Sequence, residues 1–310
     1  MDSLVSILIP TYNRAIFLEK CIKSALNQTY GNLEIIISDN CSTDNTEEIV
    51  SKYNDTKIRY VKNFRNIGPI LNWKNALMKS KGKYCVILCD DDYFIDNEYV
   101  QNAINLFTKD NSINLVITDC VLGRKQQVST NISLKQVTDG KEFLRNFWSK
   151  NYHIPVISNV FIREEAMKIN AFSNNSILYS DIELWLMLMC NGNVGYINKQ
   201  SVYYNFHDDN IVTNMDLDTI IDNSRFILNL RLLLIKNNIM NQKDSKKLIY
   251  EIVNRYILFV NSIYNFKIDI NLYKKILNII DIHLNYYYYL NLKGKLIKRS
   301  VSRKLHKYLN

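Results

Sequence analysis

No two cysteines stand at C-x-x-C spacing. The six (Cys21, Cys41, Cys85, Cys89, Cys120 and Cys190) are scattered along the 310 residues. That pattern excludes a zinc site of the usual spacing and a dense disulfide framework, and fits reduced thiols in a cytosol. No apolar run approaches the ~18 to 20 residues that a membrane span requires, so an integral membrane protein is not expected. The opening apolar stretch, Val5-Ser-Ile-Leu-Ile9, is too short for the hydrophobic region of a signal peptide and lacks its positive flank, so export by a cleaved signal is not expected either. Glycine (8) and proline (3) are scarce while Asn, Ile, Lys and Tyr are abundant, which reads as a low-GC coding bias without functional weight. Internal repeats and low-complexity linkers are also missing.

What is present is enough chain for a substantial core and a net charge of +9. Such a charge suits nucleic acid, anionic lipid or phosphorylated substrates, and its position decides among them. Lys293, Lys295, Lys298, Arg299, Arg303, Lys304 and Lys307 crowd the last stretch with no acid among them. Together with Tyr286 to Tyr289, this segment reads as an interfacial anchor over residues 286–310: aromatic residues at headgroup level, then cations facing an anionic membrane surface. A solvated or oligomer-forming tail is the other reading.

Short apolar runs at Val5 to Ile9 and Leu33 to Ser38 flank a helix-spaced set, Phe17, Leu18, Cys21, Ile22, Ala25 and Leu26. The alternation continues with a helix near Asp44 to Lys52, a strand Lys57 to Val61, a helix Ile70 to Lys79 and a strand Tyr84 to Leu88. This pattern predicts a parallel sheet with helices on both faces. Farther on it predicts a strand Asn114 to Thr118, a helix Gly140 to Ser149, a helix Asp181 to Cys190 and a strand Ser201 to Phe206. Three helical segments follow, roughly 216–237, 244–265 and 270–290. The expected division is an α/β domain over residues 1–212 and a helical C-terminal region with its basic tail over 213–310.

In open parallel sheets the ligand crevice lies at the carboxyl ends of the strands. Polar clusters fall at those ends: Pro10-Thr-Tyr-Asn-Arg14, Asp39-Asn-Cys-Ser-Thr-Asp44 and Asp90-Asp91-Asp92. Three adjacent carboxylates after a buried strand repel one another, and a bound hard cation such as Mg2+ or Mn2+ is the usual resolution. A solvated acidic loop is the plainer alternative. An EF-hand is disfavoured, since the loop glycine and the wider ligand spacing are missing. Asp44-Asn-Thr-Glu47 reads as a capping-box variant starting a helix, which makes Asp44 structural. Asp181 either caps its helix or serves as a base. His207 is a ligand or leaving-group assistant if it converges on the carboxylates, and an ordinary histidine if not.

Val5-Ser-Ile-Leu-Ile-Pro-Thr-Tyr-Asn-Arg14, Ser38-Asp-Asn-Cys-Ser-Thr-Asp-Asn-Thr46, Asn66-Ile-Gly68 and Cys89-Asp-Asp-Asp-Tyr93 together resemble family 2 of the inverting glycosyltransferases, over about residues 4–212. The resemblance implies a GT-A fold, a Rossmann-like and mostly parallel sheet, here with a C-terminal helical appendage. It implies a UDP-sugar donor, a Mn2+ or Mg2+ cofactor, and a saccharide acceptor of the lipid-linked oligosaccharide, lipopolysaccharide or capsule type. The donor-contacting set would be Pro10, Thr11, Tyr12, Asn13, Asp39, Asn66, Gly68, Asp90 and Asp91. Metal would fall to Asp91, Asp92 and His207, although the common Asp-x-Asp-Asp form of the family would place an acid at Cys89. Asp181, in Tyr179-Ser-Asp-Ile-Glu-Leu-Trp185, matches the acidic motif and would remove the acceptor proton. Where relatives often carry a Gly-rich acceptor segment, this chain has Ile157-Ser-Asn-Val-Phe161 and Asn170-Ala-Phe172.

Two other classes compete. Nucleotidyl transfer or nucleotide-sugar hydrolysis asks for a basic Gly-rich phosphate loop after the first strand, and Pro10 to Arg14 is not one. A nucleic-acid binder would rest on net charge alone and leaves the acidic triplet unexplained. The expectation is thus a cytoplasmic glycosyltransferase, peripheral on the inner membrane face through its tail, an oligomer or not, with no nucleic acid among its partners.

Overall fold

The computed structural model describes residues 2–123, 127–129, 134–146, 159–173, 180–205 and 207, and beyond these 219, 223–246, 248–249, 252–253 and 275. Two compact units divide the chain, residues 1–207 and 208–310.

The first unit opens with β1 (Val5–Thr11), α1 (Ala15–Leu26), β2 (Leu33–Asp39), α2 (Thr46–Ser51), β3 (Ile58–Lys62), α3 (Pro69–Lys79) and β4 (Tyr84–Ile87). All seven residues of β1 are buried, as a central strand covered on both faces demands. Helix α1 turns Leu18, Cys21, Ile22 and Ala25 inward, while Ile16 remains 83% exposed. Strand β1 pairs in parallel with β2 from Val5↔Leu33 to Thr11↔Asp39 and with β4 from Val5↔Tyr84 to Leu8↔Ile87. This register brings Thr11, Asp39 and the residues after β4 to one edge.

The chain continues through β5 (Tyr93–Phe94), α4 (Tyr99–Lys109), β6 (Ile113–Leu122), β7 (Gln127–Ser129), β8 (Val137–Thr138), α5 (Gly140–Asn146), β9 (Val160–Ile162), α6 (Arg163–Lys168), α7 (Ser180–Asn191) and β10 (Asn193–Tyr204). The sheet order is β3-β2-β1-β4-β9-β6-β10-β5, with β7 on β6 and β8 on β10. Strand β9 runs antiparallel between β4 and β6, and β10 pairs with β5 antiparallel through Val202↔Phe94 and Tyr203↔Tyr93. That short ladder lays the end of β10 beside the segment that follows β4. Gly82, before β4, tolerates no side chain: a Cβ there would lie 2.7 Å from the Ser6 backbone nitrogen.

Compared with the sequence reading, β10 begins earlier than the expected strand at 201, and α4 and α6 are additional. The structure corrects one local expectation. Asp44 does not form a capping box with Glu47, whose carboxylate pairs with Lys62 instead. Asp44 Oδ1 accepts from the Thr46 backbone and hydroxyl, and its Oδ2 accepts from the Ala15 N–H at the first turn of α1. One carboxylate therefore ties the loop after β2 to the helix after β1, favoured there by the dipole.

In the second unit, α8 (Arg225–Lys236) buries Phe226, Ile227, Leu230 and Leu234 on one face. It falls within the span 216–237. The segments 244–265 and 270–290 lie largely, and the tail 286–310 entirely, outside the described residues, as does Ile157. Among the described residues no helix is long and apolar enough to cross a membrane.

Candidate functional site

The strand ends of the first unit hold a dense polar site. Asp90, Asp91 and Asp92 are all buried, at 4%, 7% and 1% exposure, so they are not a solvated loop. From the turn after β1, Arg14 Nη1 stands 3.2 Å from Asp90 Oδ1 and 2.5 Å from Asp91 Oδ2. From beyond β10, His207 Nε2 lies 3.0 Å from the same Asp91 oxygen, its ring stacked on Phe17 of α1 at 4.5 Å. The Asn205 N–H donates to Asp92 Oδ1 at 2.9 Å.

Burial and like charge govern the electrostatics. Burial, then the neighbouring charge of Asp91, pushes the Asp90 pKa up to about 7, opposed by Arg14. Asp92 is driven well above the carboxylate range by burial and by Asp91, against the Asn205 N–H. Burial followed by the charges of Asp92, Asp91 and Asp90 raises the Cys89 thiol in the same way.

Cys89, Asp91 and Asp92 bring ligand atoms within 4.8 Å of one another, and they are the only such group of three or more among the described residues. Asp92 Oδ2 is buried with no hydrogen-bond partner. A buried carboxylate oxygen left unsatisfied costs free energy, and two adjacent hard oxygen donors with such an orphan suit a divalent cation. The residues present fit the metal that the fold family implies.

Asp181 opens α7, 4% exposed, with Oδ1 accepting from the Ile182 N–H at 2.7 Å. Burial raises its pKa to about 7 against that bond. Its charge reaches Cys89 and the Tyr204 phenol, raising both after burial and the nearer aspartates. Asp181 therefore shares the electrostatic field of the triplet.

Around the other strand ends, Asp39 is fully buried. Its Oδ1 accepts from the Ser42 N–H at 2.8 Å and from the Ser42 hydroxyl, and its Oδ2 from the Tyr60 hydroxyl. Asn13, at φ 51°, accepts from the Thr43 N–H and donates its own N–H to Ser42. Pro10 and Thr11 end β1 inside the sheet, while Tyr12 is 42% exposed. Asn66 Oδ1 accepts from Asn40 Nδ2 and from the Gly68 N–H. Gly68 takes φ 84° before Pro69 at the start of α3, a conformation open to glycine and strained for most residues. Asn40, Asn63 and Asn72 link Ser38 to this turn through side-chain bonds of 2.7 to 3.1 Å.

Sequence reasoning missed Arg14 as a partner of the acids, although it is the one cation in Pro10 to Arg14 and stands at the same sheet edge. It also missed Phe17, Asn205 and the asparagine network, for which no spacing signal exists. The described residues do not include Tyr179 or Phe206.

Residues 6–169 match the profile of "Glycosyl transferase family 2". The chain is 28% identical over 197 residues to a UDP-Glc:alpha-D-GlcNAc-diphosphoundecaprenol beta-1,3-glucosyltransferase of Escherichia coli, covering 64% of this chain and 74% of that protein. It is 29% identical over 216 residues to a GalNAc(5)-diNAcBac-PP-undecaprenol beta-1,3-glucosyltransferase of Campylobacter jejuni, covering 67% of this chain and 66% of that one. Its fold resembles S. aureus TarS 1-349 in complex with UDP-GlcNAc, with a TM-score of 0.72 and 15% identity over 89% of this chain and 79% of the other.

Proposed function

The chain belongs to glycosyl transferase family 2, and from that premise we propose that it transfers a hexose from a UDP-sugar to a lipid-linked saccharide, with inversion at the anomeric carbon. The observation that carries this reading is the convergence of Asp91 and Asp92 with the buried, unsatisfied Asp92 Oδ2 at the strand ends. UDP as the nucleotide is supported by the Escherichia coli relative, whose name specifies UDP-Glc, and by the UDP-GlcNAc bound to TarS. An undecaprenol-diphosphate acceptor is supported by the names of both relatives.

Residues Asp91 and Asp92, with Cys89 and His207 beside them, would hold Mn2+ or Mg2+. When bound, such a cation neutralises negative charge on the diphosphate leaving group. Thr11, Tyr12, Asn13 and Asp39 would contact the nucleotide, with Pro10, Asn66, Gly68 and Asp90 completing the donor-contacting set. The bonds from Ser42 and Tyr60 fix the Asp39 carboxylate in place, so little ordering is left to be done on binding. Asp181 takes the proton from the acceptor hydroxyl. Its pKa of about 7 matches a general base near neutral pH.

A melting-temperature series with UDP, GDP, CDP and TDP, each with and without Mn2+, tests the donor class. UDP with Mn2+ is expected to stabilise the protein by about 2.7 kcal/mol at a hundredfold excess over Kd, and Asp91→Asn is expected to lose the Mn2+-dependent part. Stabilisation by another nucleotide in place of UDP, or by none, would sink the reading.

The basic stretch 286–310 is the proposed contact with the anionic inner face of the cytoplasmic membrane, where a lipid-linked acceptor would be presented. Deleting residues 291–310 is expected to abolish sedimentation with vesicles rich in anionic lipid. Unchanged sedimentation would end that proposal.

A further inference from the structure

Arg14 is the residue of the site that the transfer chemistry leaves without a task. It stands at the N-cap position of α1 yet makes no side-chain capping bond. Its Nη1 instead reaches two carboxylates, Asp90 and Asp91, from a side chain that is 19% exposed against 5% and 6% for theirs. The guanidinium stays charged at any working pH, so it offsets repulsion within the triplet whether or not anything else is bound. Asp91 Oδ2, the oxygen it holds at 2.5 Å, also faces His207, and Asp91 belongs to the convergent group with Cys89 and Asp92. A guanidinium and a divalent cation therefore address the same negative charge.

We propose that Arg14 is a positioning residue that acts as the internal counter-ion of the acidic triplet and competes with a divalent cation for Asp91. It thereby sets how tightly the site takes that cation. In the cation-free protein it keeps Asp91 paired. When a cation is held at Asp91, the Arg14 charge opposes it, so the site exchanges its ion more readily than two unopposed carboxylates would. Two unit charges at this range interact strongly in a partly buried site, which makes the effect measurable. The inference rests on the reading of the cluster as a cation site.

The test uses the full chain and Mn2+ alone, following melting temperature and free Mn2+ by electron paramagnetic resonance. Arg14→Met is expected to melt lower than the parent without metal, to bind Mn2+ about tenfold more tightly, and to gain more stability from it. Arg14→Lys, which keeps the charge, is expected to restore the parent Mn2+ affinity; a purely structural role for the side chain does not predict that recovery. An Arg14→Met protein that folds only in Mn2+ supports the proposal equally. If it folds in neither condition, Arg14→Gln takes its place with the same two outcomes. Mn2+ affinity in the neutral variant equal to or weaker than the parent's overturns this proposal alone. Absence of Mn2+ binding in the parent and all variants overturns the cation site and the proposal together.

Discussion

Asp181→Asn is expected to lower the rate of sugar transfer by about 10² to 10⁴-fold, the usual contribution of a positioned base, while the protein becomes more stable at pH 8. The two effects share one cause. Burial raises the folded-state pKa of Asp181 to about 7, against ~3.9 for an unperturbed aspartate. Between those values the folded state binds more protons than the unfolded one, so stability falls as pH rises through the window and the full cost is present above pH 7. With a shift of roughly three units the cost is about 4 kcal/mol at most. An amide removes it, and the melting temperature at pH 8 should rise by several degrees, at roughly 2–4 °C per kcal/mol. At pH 4 and below, parent and variant should melt alike. The parent's rate should rise with pH through about 7, as the carboxylate forms. A variant that retains most of its activity, or that melts lower than the parent at pH 8, would argue that Asp181 serves the helix start and not the acceptor proton.

The second large effect separates two neighbours within the triplet. Asp92→Asn is expected to raise the melting temperature of metal-free protein, because it removes a carboxylate that burial and Asp91 hold well above its ordinary range. Asp91→Asn is expected to lower it, because it removes the shorter of the two carboxylate contacts of Arg14 and the contact to His207, and weakening the pairing of a largely buried guanidinium is costly. Both variants should lose the Mn2+-dependent stabilisation and about 10² to 10³-fold in transfer rate, in the range measured when a group that stabilises developing charge is removed. Opposite signs without metal and a common loss with it are what differential scanning fluorimetry and a UDP-release assay should record. Equal behaviour of the two variants without metal would show that Arg14 and His207 do not depend on Asp91.

The family, the parallel strand–helix alternation and the acidic triplet were legible in the sequence because each is local. Apolar runs of strand length followed by polar clusters announce the carboxyl ends of a parallel sheet, and β1, β2, β3, α3 and β4 lie within one or two residues of where that pattern put them. Membership of glycosyl transferase family 2, expected from four short motifs, is borne out by the match over residues 6–169, and the GT-A fold by the likeness to TarS. Local signals missed α4, α6 and the first part of β10, and they were incomplete where a short polar segment had two partners available. Asp44 looks like the start of its own helix, and in the folded chain it bonds Thr46 there and also the first turn of α1, 29 residues earlier.

Only the tertiary structure decided what surrounds the carboxylates. Arg14 and Asp91 are 77 residues apart, and His207 and Asp91 are 116 apart. The first pair is set by the parallel register of β1 with β4, the second by the two-residue ladder of β10 with β5. Strand pairing over such separations depends on which apolar faces bury together, and residue spacing along the chain carries no record of that choice. The same holds for the pKa of Asp181: the sequence places an acid at the start of a helix, but only folding removes it from water, and that removal lifts a common aspartate into the range where it can work as a base.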